Sequence, residues 1–242
     1  MTNGNRRPLG QVMAAVYRGW SEVDRGMWLL RPPGVYRPQG DTRLLTRALR
    51  DAGLPPGGAV LDIGCGTGAL SVHAAGFAPR SVTAVDVSRR AVWTARFNTA
   101  VRGLAVRVLH GDGLELDERF DLVLANPPYV PGVPGLPARG RRRAWDAGID
   151  GRAVLDRLCA VAPQLLAPGG VLFVVHSALS DVDKSLNQLR GGGLKAAVVA
   201  RAAEPFGPVM RARAGLLREC GLLTEEQMSE ELVVIRGDRP AR

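Results

Sequence analysis

Short apolar runs, each ending at a glycine, a proline or a polar residue, alternate along this chain with longer stretches in which apolar residues recur every three or four positions. The short runs predict buried strands, and the longer stretches predict amphipathic helices. Strands are expected at 59–64, 81–86, 106–110, 120–125, 170–176 and 232–236. Helices are expected at 41–52, 68–77, 88–101 and 151–166. This alternation predicts an α/β fold, a parallel sheet with helices on both faces.

The two ends of the chain fit this alternation less well. Helical spacing over Leu9 to Leu30 is interrupted by Pro32-Pro33-Gly34, which predicts an N-terminal arm or helix over 1–35 and one domain over 36–242. Residues 206–231 show no clear pattern. No apolar stretch approaches the roughly 20 residues of a membrane span, and the N-terminus lacks the apolar core of an export signal. We therefore expect a cytoplasmic protein without membrane contact.

Composition and charge narrow the class of protein. With 242 residues and 46% hydrophobic content, the chain can bury one large core without crosslinks. Its 3 cysteines are odd in number and lack metal-ligand spacing, so we expect free thiols and no metal site. The net charge of +9 comes almost wholly from arginine, because Lys184 and Lys195 are the only lysines. That bias is typical of a GC-rich genome and weakens the case for a nucleic-acid-binding surface.

A cluster of arginines at Arg139 and 141–143 stands out from this background, in a loop rich in glycine and proline. It has two interpretations: a solvated loop, or a lid or docking surface beside a substrate.

The glycine-rich turn at the end of the first predicted strand is the first candidate site. Gly64, Gly66 and Gly68 follow Val60-Leu61-Asp62-Ile63 and precede a predicted helix, a pattern that lets a ligand approach the backbone closely. Gly64 and Gly66, together with Ala69, also satisfy the dinucleotide fingerprint, which ends in Gly or Ala. Asp62 distinguishes a dinucleotide from S-adenosylmethionine as the ligand. A carboxylate repels the pyrophosphate of a dinucleotide and attracts the sulfonium and ammonium groups of S-adenosylmethionine.

The next two predicted strands also end in carboxylates. Asp86 comes 18 residues after Gly68, close to the usual interval of about 20 for an acid that binds a ribose diol. Asp112 follows the third strand in His110-Gly111-Asp112, where it can take an adenine amino group. Any one of these acids alone is more often a turn or cap residue; their shared position at strand ends favours a ligand site.

The fourth strand ends in Asn126-Pro127-Pro128-Tyr129. The prolines stiffen the turn and hold an amide side chain and an aromatic ring in a set relation. An amide oxygen and a neighbouring carbonyl can accept both hydrogens of a planar NH2 group, and the ring can stack on that group. Most Pro-Pro pairs only stiffen a loop. Here the polar residues at the other strand ends favour a site that binds planar amines or amides.

These strand ends resemble the Rossmann-like S-adenosylmethionine-dependent methyltransferases of class I. The tetrapeptide, together with Val35 to Leu45 and Ala144 to Arg152, is similar to the HemK/PrmC-like protein-glutamine methyltransferases. The resemblance implies a seven-stranded, mostly parallel sheet in the order 3-2-1-4-5-7-6, with strand 7 antiparallel. It also implies methylation of the glutamine amide in the Gly-Gly-Gln loop of a peptide-chain release factor.

The resemblance assigns roles residue by residue. Catalysis would fall to Asn126, Pro127 and Tyr129. Cofactor binding would fall to Thr42, Asp62, Gly64, Gly66, Gly68, Asp86, Asp112, Gly113 and Asn126. Because only about 35 residues precede the match, the chain is closer in outline to the compact branch of the family, whose members commonly need a small zinc-containing activator subunit.

Two other functions stay open at this point. The same tetrapeptide suits an exocyclic base amine of RNA or DNA, for which binding should fall steeply with salt. A protein that keeps the cofactor fold without turnover is the third hypothesis, although every residue the chemistry needs is present.

Overall fold

The computed structural model describes residues 27–131, 147–148 and 150–241. Within these ranges the strands are β1 Ala59–Ile63, β2 Ser81–Asp86, β3 Val106–His110, β4 Phe120–Ala125, β5 Leu166–Ser177, β6 Lys195–Pro205 and β7 Ser229–Asp238. The α-helices are α1 Gly40–Asp51, α2 Ala69–Ala75, α3 Arg89–Ala100, α4 Ala153–Leu165, α5 Val182–Gly191 and α6 Pro208–Glu219.

The described strands form one sheet in the order β3-β2-β1-β4-β5-β7-β6. The first five are parallel to their neighbours, and β7 runs antiparallel to both β5 and β6. The predicted Rossmann-like class I fold is confirmed. Chain order reverses between β1 and β4, and the crevice at such a point is where open α/β sheets bind ligands.

The core lies on both faces of the central strands. All five residues of β1 are buried, and Phe120, Leu124 and Phe173 on β4 and β5 are at most 2% exposed. A parallel sheet covered by helices on both sides buries nearly every residue of its central strands, so those strands read as continuous apolar runs. That is why β1, β2 and β4 stand out in the sequence.

The last third of the chain contains three elements that the sequence pattern missed: α5, β6 and α6. The segment that forms β6, Lys195-Ala-Ala-Val-Val-Ala-Arg-Ala-Ala, is rich in alanine, which favours helix over strand. It becomes a strand because β7 offers unpaired backbone groups, and ten residues of β6 pair along it. Strand β5 begins at Leu166, directly after α4, four residues before the predicted start.

The N-terminal arm is described only from residue 27 onward, and most of the predicted helix over Leu9 to Leu30 lies outside the described residues. Residues 27–30, its last turn, are not helical. They run along α3, where the Asn98 side chain accepts the Leu30 N–H at 2.8 Å and donates to the Leu30 carbonyl at 2.9 Å. A domain boundary at residue 35 stays a prediction.

In the part of the chain that the structure covers, none of the helices combines the length and apolar character needed to cross a bilayer. The same residues contain no group of three or more His, Cys, Asp or Glu side chains arranged for a metal ion.

We predict that Asn98→Ala lowers the free energy of unfolding by roughly 1–3 kcal/mol, because it leaves buried backbone groups without partners. Asn98 is fully buried and also donates to the Thr67 carbonyl at 2.9 Å, so it joins the arm, α3 and the glycine-rich turn. Urea unfolding of both proteins measures the change. Arg89→Ala, an exposed position on the same helix, is the control and should stay within about 0.5 kcal/mol of wild type. A free energy of unfolding for Asn98→Ala equal to that of wild type would contradict the role of Asn98 in joining these three segments.

Candidate functional site

A cleft of about 860 Å³ opens at the carboxyl ends of β1, β2, β3 and β4. The loops after these strands form one side of it, and residues 34–42 and 204–210 form the other. Because Ile63 of β1 pairs in register with Ala125 of β4, the glycine-rich turn and the Asn126 turn leave the sheet side by side. The cleft therefore lies at the reversal of strand order.

Most of the residues expected from the sequence meet in this cleft. Those that line it are Thr42, Gly64, Gly66, Asp86, Asp112, Asn126, Pro127 and Tyr129. Three of the expected residues, Asp62, Gly68 and Gly113, do not line it. Asp62 lies in β1, and Gly68 and Gly113 lie in the turns after β1 and β3.

Gly68 shows why the turn needs glycine even where it does not touch the cleft. Its φ is +80°, a left-handed conformation that L side chains rarely adopt, and a Cβ there would lie 3.2 Å from the Ala95 Cβ of α3. The turn therefore presses against the neighbouring helix. This contact sets how far the turn projects into the cleft.

Asp62 is a fully buried carboxylate beneath that turn. Its Oδ2 accepts the Ser71 hydroxyl at 2.5 Å, and its Oδ1 has no hydrogen-bond partner. Burial, opposed by Ser71 and reinforced by the nearby charge of Asp86, raises the pKa of Asp62 to about 6. An incompletely paired acid in this position adds negative potential to the cleft from behind.

Asp86 closes β2 and binds its own loop. Its Oδ2 accepts the Gly66 N–H at 2.9 Å, and its Oδ1 accepts the Ser88 N–H at 2.8 Å. Burial raises the pKa of this carboxyl in spite of these two donors. Because one bond reaches the glycine-rich turn and the other the start of α3, Asp86 fixes both edges of the cleft.

Asp112 is less free than its sequence position indicates. Its Oδ1 caps the following turn by accepting the Leu114 N–H at 3.0 Å, and its Oδ2 accepts from Arg157 of α4 at 2.8 Å. No pattern in the sequence indicates Arg157 as a partner of Asp112, because 45 residues separate the two. A ligand amine at this acid would share it with the arginine, which is half exposed.

Asn126 is oriented by a relay of side chains. Its Nδ2 lies 3.4 Å from Thr42 Oγ1, to which it donates, and the Thr42 hydroxyl donates to Asp41 Oδ1 at 3.1 Å. With Nδ2 used in this way, Oδ1 is left to accept from a ligand. Thr42, expected as a cofactor residue, contacts Asn126. Helix α1 begins at Gly40, and its N-cap residue, Gln39, makes no side-chain cap bond.

Tyr129 contacts Asp41 directly, whereas Asn126 reaches it through Thr42. The Tyr129 hydroxyl donates to Asp41 Oδ2 at 3.2 Å, and the Tyr36 hydroxyl donates to the same atom at 2.6 Å. Burial and then the charge of Asp41 raise the pKa of both phenols well above the usual range. Both tyrosines therefore remain neutral donors. The pattern of the sequence did not reveal Tyr36, because its only signal was membership of the segment that resembles the family.

Glu230 is a further cleft residue that sequence reasoning missed. It is 7% exposed, lines the cleft, and its Oε2 has no partner. Burial raises its pKa, and the charges of Asp41 and Glu204 act in the same direction. It sits on β7, in a region without a readable pattern. The Arg139 and 141–143 cluster, interpreted as either a solvated loop or a lid or docking surface, lies outside the described residues.

Comparison with known proteins identifies similar chains. The family model described as methyltransferase small domain matches residues 26–136. A protein of Methanocaldococcus jannaschii, named as a putative protein N5-glutamine methyltransferase, is 33% identical over 187 residues, which cover 76% of this chain and 93% of that protein. The release factor glutamine methyltransferase of Bordetella pertussis is 34% identical over 203 residues, which cover 78% of this chain and 73% of that protein.

Among solved structures, the fold is similar to that of the Encephalitozoon cuniculi Mtq2-Trm112 complex, described as responsible for the methylation of the eRF1 translation termination factor. The TM-score is 0.58 with 21% identity, over 85% of this chain and 99% of that one. At this identity the likeness concerns the fold.

We predict that Asp62→Asn becomes more stable relative to wild type as pH rises. Because burial raises the pKa of Asp62 from 3.8 unfolded to about 6 folded, its ionisation destabilises the fold. That cost is absent below the unfolded pKa and complete above the folded one. Across this pH range, the difference in free energy of unfolding between Asp62→Asn and wild type should change by on the order of 3 kcal/mol. Urea unfolding of both proteins at about pH 4 and about pH 7.5 measures most of this change.

Ser71→Ala tests the same pKa from the other side. Removing the hydroxyl that lowers the Asp62 pKa should extend the pH-dependent range upward. A difference between Asp62→Asn and wild type that does not change with pH would rule out the raised pKa.

Proposed function

Because this chain belongs to the family of HemK-like protein-glutamine methyltransferases, we propose that it transfers the methyl group of S-adenosylmethionine to a glutamine side-chain amide. The acceptor we propose is the glutamine of the Gly-Gly-Gln loop of a peptide-chain release factor. The observation that carries this proposal is the position of Asn126: it lies next to the glycine-rich turn, with Nδ2 used by Thr42 and Oδ1 left to accept.

The residues present fit S-adenosylmethionine, a ligand that combines two positive charges with a purine nucleoside. Asp86 and Asp112 line the cleft, and Asp62, with one unpartnered oxygen, lies behind its wall. In the proposed arrangement Asp86 binds the ribose diol and Asp112 the adenine amino group. Gly64 and Gly66 let the ligand approach the backbone. When bound, this ligand supplies an electrophilic methyl group on a sulfonium.

Asn126 and Pro127 prepare the acceptor nitrogen. An amide nitrogen is a poor nucleophile, because its lone pair is delocalised into its own carbonyl. Asn126 Oδ1 and the Pro127 carbonyl accept its two N–H groups, which draws electron density to nitrogen and aims the lone pair along the cleft. Methylation forms the N–CH3 bond as the bond between the methyl carbon and sulfur breaks, which leaves a neutral thioether. The nitrogen loses one of its protons to solvent as the product leaves the cleft.

Tyr129 completes the acceptor site from the side. Its ring packs against the plane of the amide and excludes water, while Asp41 holds its hydroxyl. Positioning of this kind can supply roughly 7–11 kcal/mol of a barrier. The proposed mechanism therefore needs no strong general base beside Asn126.

The natural acceptor is tested by incubating the purified chain with labelled S-adenosylmethionine, release factors and total RNA, then locating the label by mass spectrometry. We expect label on the glutamine of the Gly-Gly-Gln loop, and a release factor with Gly-Gly-Asn at that position is the matched control. Label confined to an exocyclic base amine of RNA would replace the proposed acceptor. Absence of label with every acceptor, although the labelled ligand binds, would favour a module without turnover.

The same assay addresses the activator subunit, which stays a prediction from the family resemblance. The Encephalitozoon cuniculi protein was solved together with a second protein. Methyl transfer by this chain alone would contradict a requirement for such a subunit.

We predict that Asn126→Ala and Asp86→Ala separate catalysis from cofactor binding. Asn126→Ala should lower kcat by roughly 100-fold or more, since it removes an acceptor aimed at the reacting nitrogen, and leave cofactor affinity close to wild type. Asp86→Ala should raise the cofactor Kd by roughly 10- to 100-fold, the loss expected for a charged hydrogen bond. Steady-state kinetics and titration calorimetry measure the two effects.

Asn187→Ala, an exposed asparagine on α5, is the control and should match wild type in both measurements. Equal loss of turnover and cofactor affinity in Asn126→Ala would reject the division of roles.

A further inference from the structure

Tyr129 is held at both of its polar ends, and only one of them lies in the cleft. The phenol donates to Asp41, as described above. Its backbone carbonyl points the other way and accepts the Ser180 hydroxyl at 2.8 Å. Ser180 is fully buried and 51 residues away in sequence, in a turn that follows β5. The tetrapeptide is therefore also fixed from behind the cleft.

Arg152 holds the Ser180 turn in place. It is 2% exposed and donates to the carbonyls of Ser180 and Asp181. It also donates to Ser185 Oγ at 3.1 Å and to Gln188 Oε1 at 3.0 Å. One guanidinium thus fixes the turn and the first two turns of α5, a geometry that suits the planar fork of arginine.

The charge of Arg152 is balanced inside the same network. Its Nε donates to Asp156 Oδ1 at 2.8 Å, and Lys184 donates to Asp156 Oδ2 at 3.1 Å. Although burial opposes it, the hydrogen bonds from Lys184 and Arg152 lower the pKa of Asp156. The network therefore stays ionised and ordered at neutral pH.

Gly151 brings this network against the Tyr129 backbone. Its φ is +74°, and a Cβ there would lie 2.3 Å from the Tyr129 carbonyl oxygen and 2.9 Å from Ser180 Oγ. Only glycine allows so close an approach. The residue before Arg152 thus touches the same carbonyl that Ser180 binds.

The two prolines cannot replace this contact. Pro127 and Pro128 fix their own φ angles, but neither proline sets the backbone angles of Tyr129. The Ser180 hydroxyl binds the Tyr129 carbonyl, which restrains the position of the Tyr129 Cα, and the ring extends from that Cα.

We propose that Ser180, held by Arg152, is a positioning residue for methyl transfer, which it serves by fixing the Tyr129 carbonyl from behind the cleft. This inference rests on the proposed function, since it assigns Ser180 a part in the same reaction. Ser180 contacts neither ligand.

Two pairs of variants isolate the hydroxyl from the packing. Thr and Val have the same shape and differ in one hydroxyl, so Ser180→Thr and Ser180→Val place equal strain on the site. Ser185→Ala is the matched control for Ser180→Ala. Both serines are fully buried and lie in the Arg152 network, but Ser185 has no hydrogen bond to Tyr129.

We expect Ser180→Ala and Ser180→Val to lower kcat by roughly 10-fold, the effect of one buried hydrogen bond, with an unchanged cofactor Kd. Ser180→Thr should retain several-fold more activity than Ser180→Val, and Ser185→Ala should stay near wild type. Equal activity of the Thr and Val variants, or equal loss in Ser180→Ala and Ser185→Ala, would overturn the proposal.

A second measurement needs no methyl acceptor. The chain has 3 tyrosines, so ¹⁹F spectra of fluorotyrosine-labelled protein are simple, and Tyr129→Phe assigns the relevant signal. We expect the Tyr129 signal to shift or broaden in Ser180→Val and to keep its position in Ser180→Thr and Ser185→Ala. An unchanged signal in Ser180→Val would show that the Ser180 hydroxyl does not position Tyr129. If wild type methylates no acceptor but the signal moves as expected, the proposed function fails, while the positioning of Tyr129 by Ser180 is supported.

Discussion

The buried carboxylate of Asp41 is the interaction on which the candidate site depends. It is 2% exposed and accepts from the Tyr36 and Tyr129 hydroxyls and from the backbone and side chain of Thr42. A buried charge is tolerated only when donors surround it. The same donors that satisfy Asp41 therefore fix α1 against the tetrapeptide loop and, through Thr42, orient Asn126.

Three further acidic side chains lie in or next to the cleft. Asp62, Asp86 and Glu230 all have raised pKa values, for which burial is the largest cause. Each of them costs folding free energy in its ionised form, and a cationic ligand would offset part of that cost. The site thus gives up stability for affinity towards positive charge, which agrees with the proposed sulfonium ligand.

The reacting loop is organised by two layers of structure. Inside the cleft, prolines and Asp41 set the positions of Asn126 and Tyr129. Behind it, Ser180, held by Arg152, binds the Tyr129 carbonyl, which the prolines do not fix. Long-range hydrogen bonds carry both layers, with separations of 88 residues for Tyr129–Asp41 and 51 for Ser180–Tyr129. Loop geometry that must stay accurate is commonly held by such a supporting shell.

The central strands, the glycine-rich turn and the tetrapeptide could be predicted from the sequence, because apolar runs, glycines and prolines act through local covalent geometry. The sequence also placed Asp86, Asp112 and Asn126 at strand ends that meet in the cleft. The strand character of Ala-rich β6, the Tyr129–Asp41 contact and the Ser180–Tyr129 contact became visible in the folded structure. Each of them joins residues that are distant in the sequence, and a pairing at that distance leaves no periodic signal in the chain.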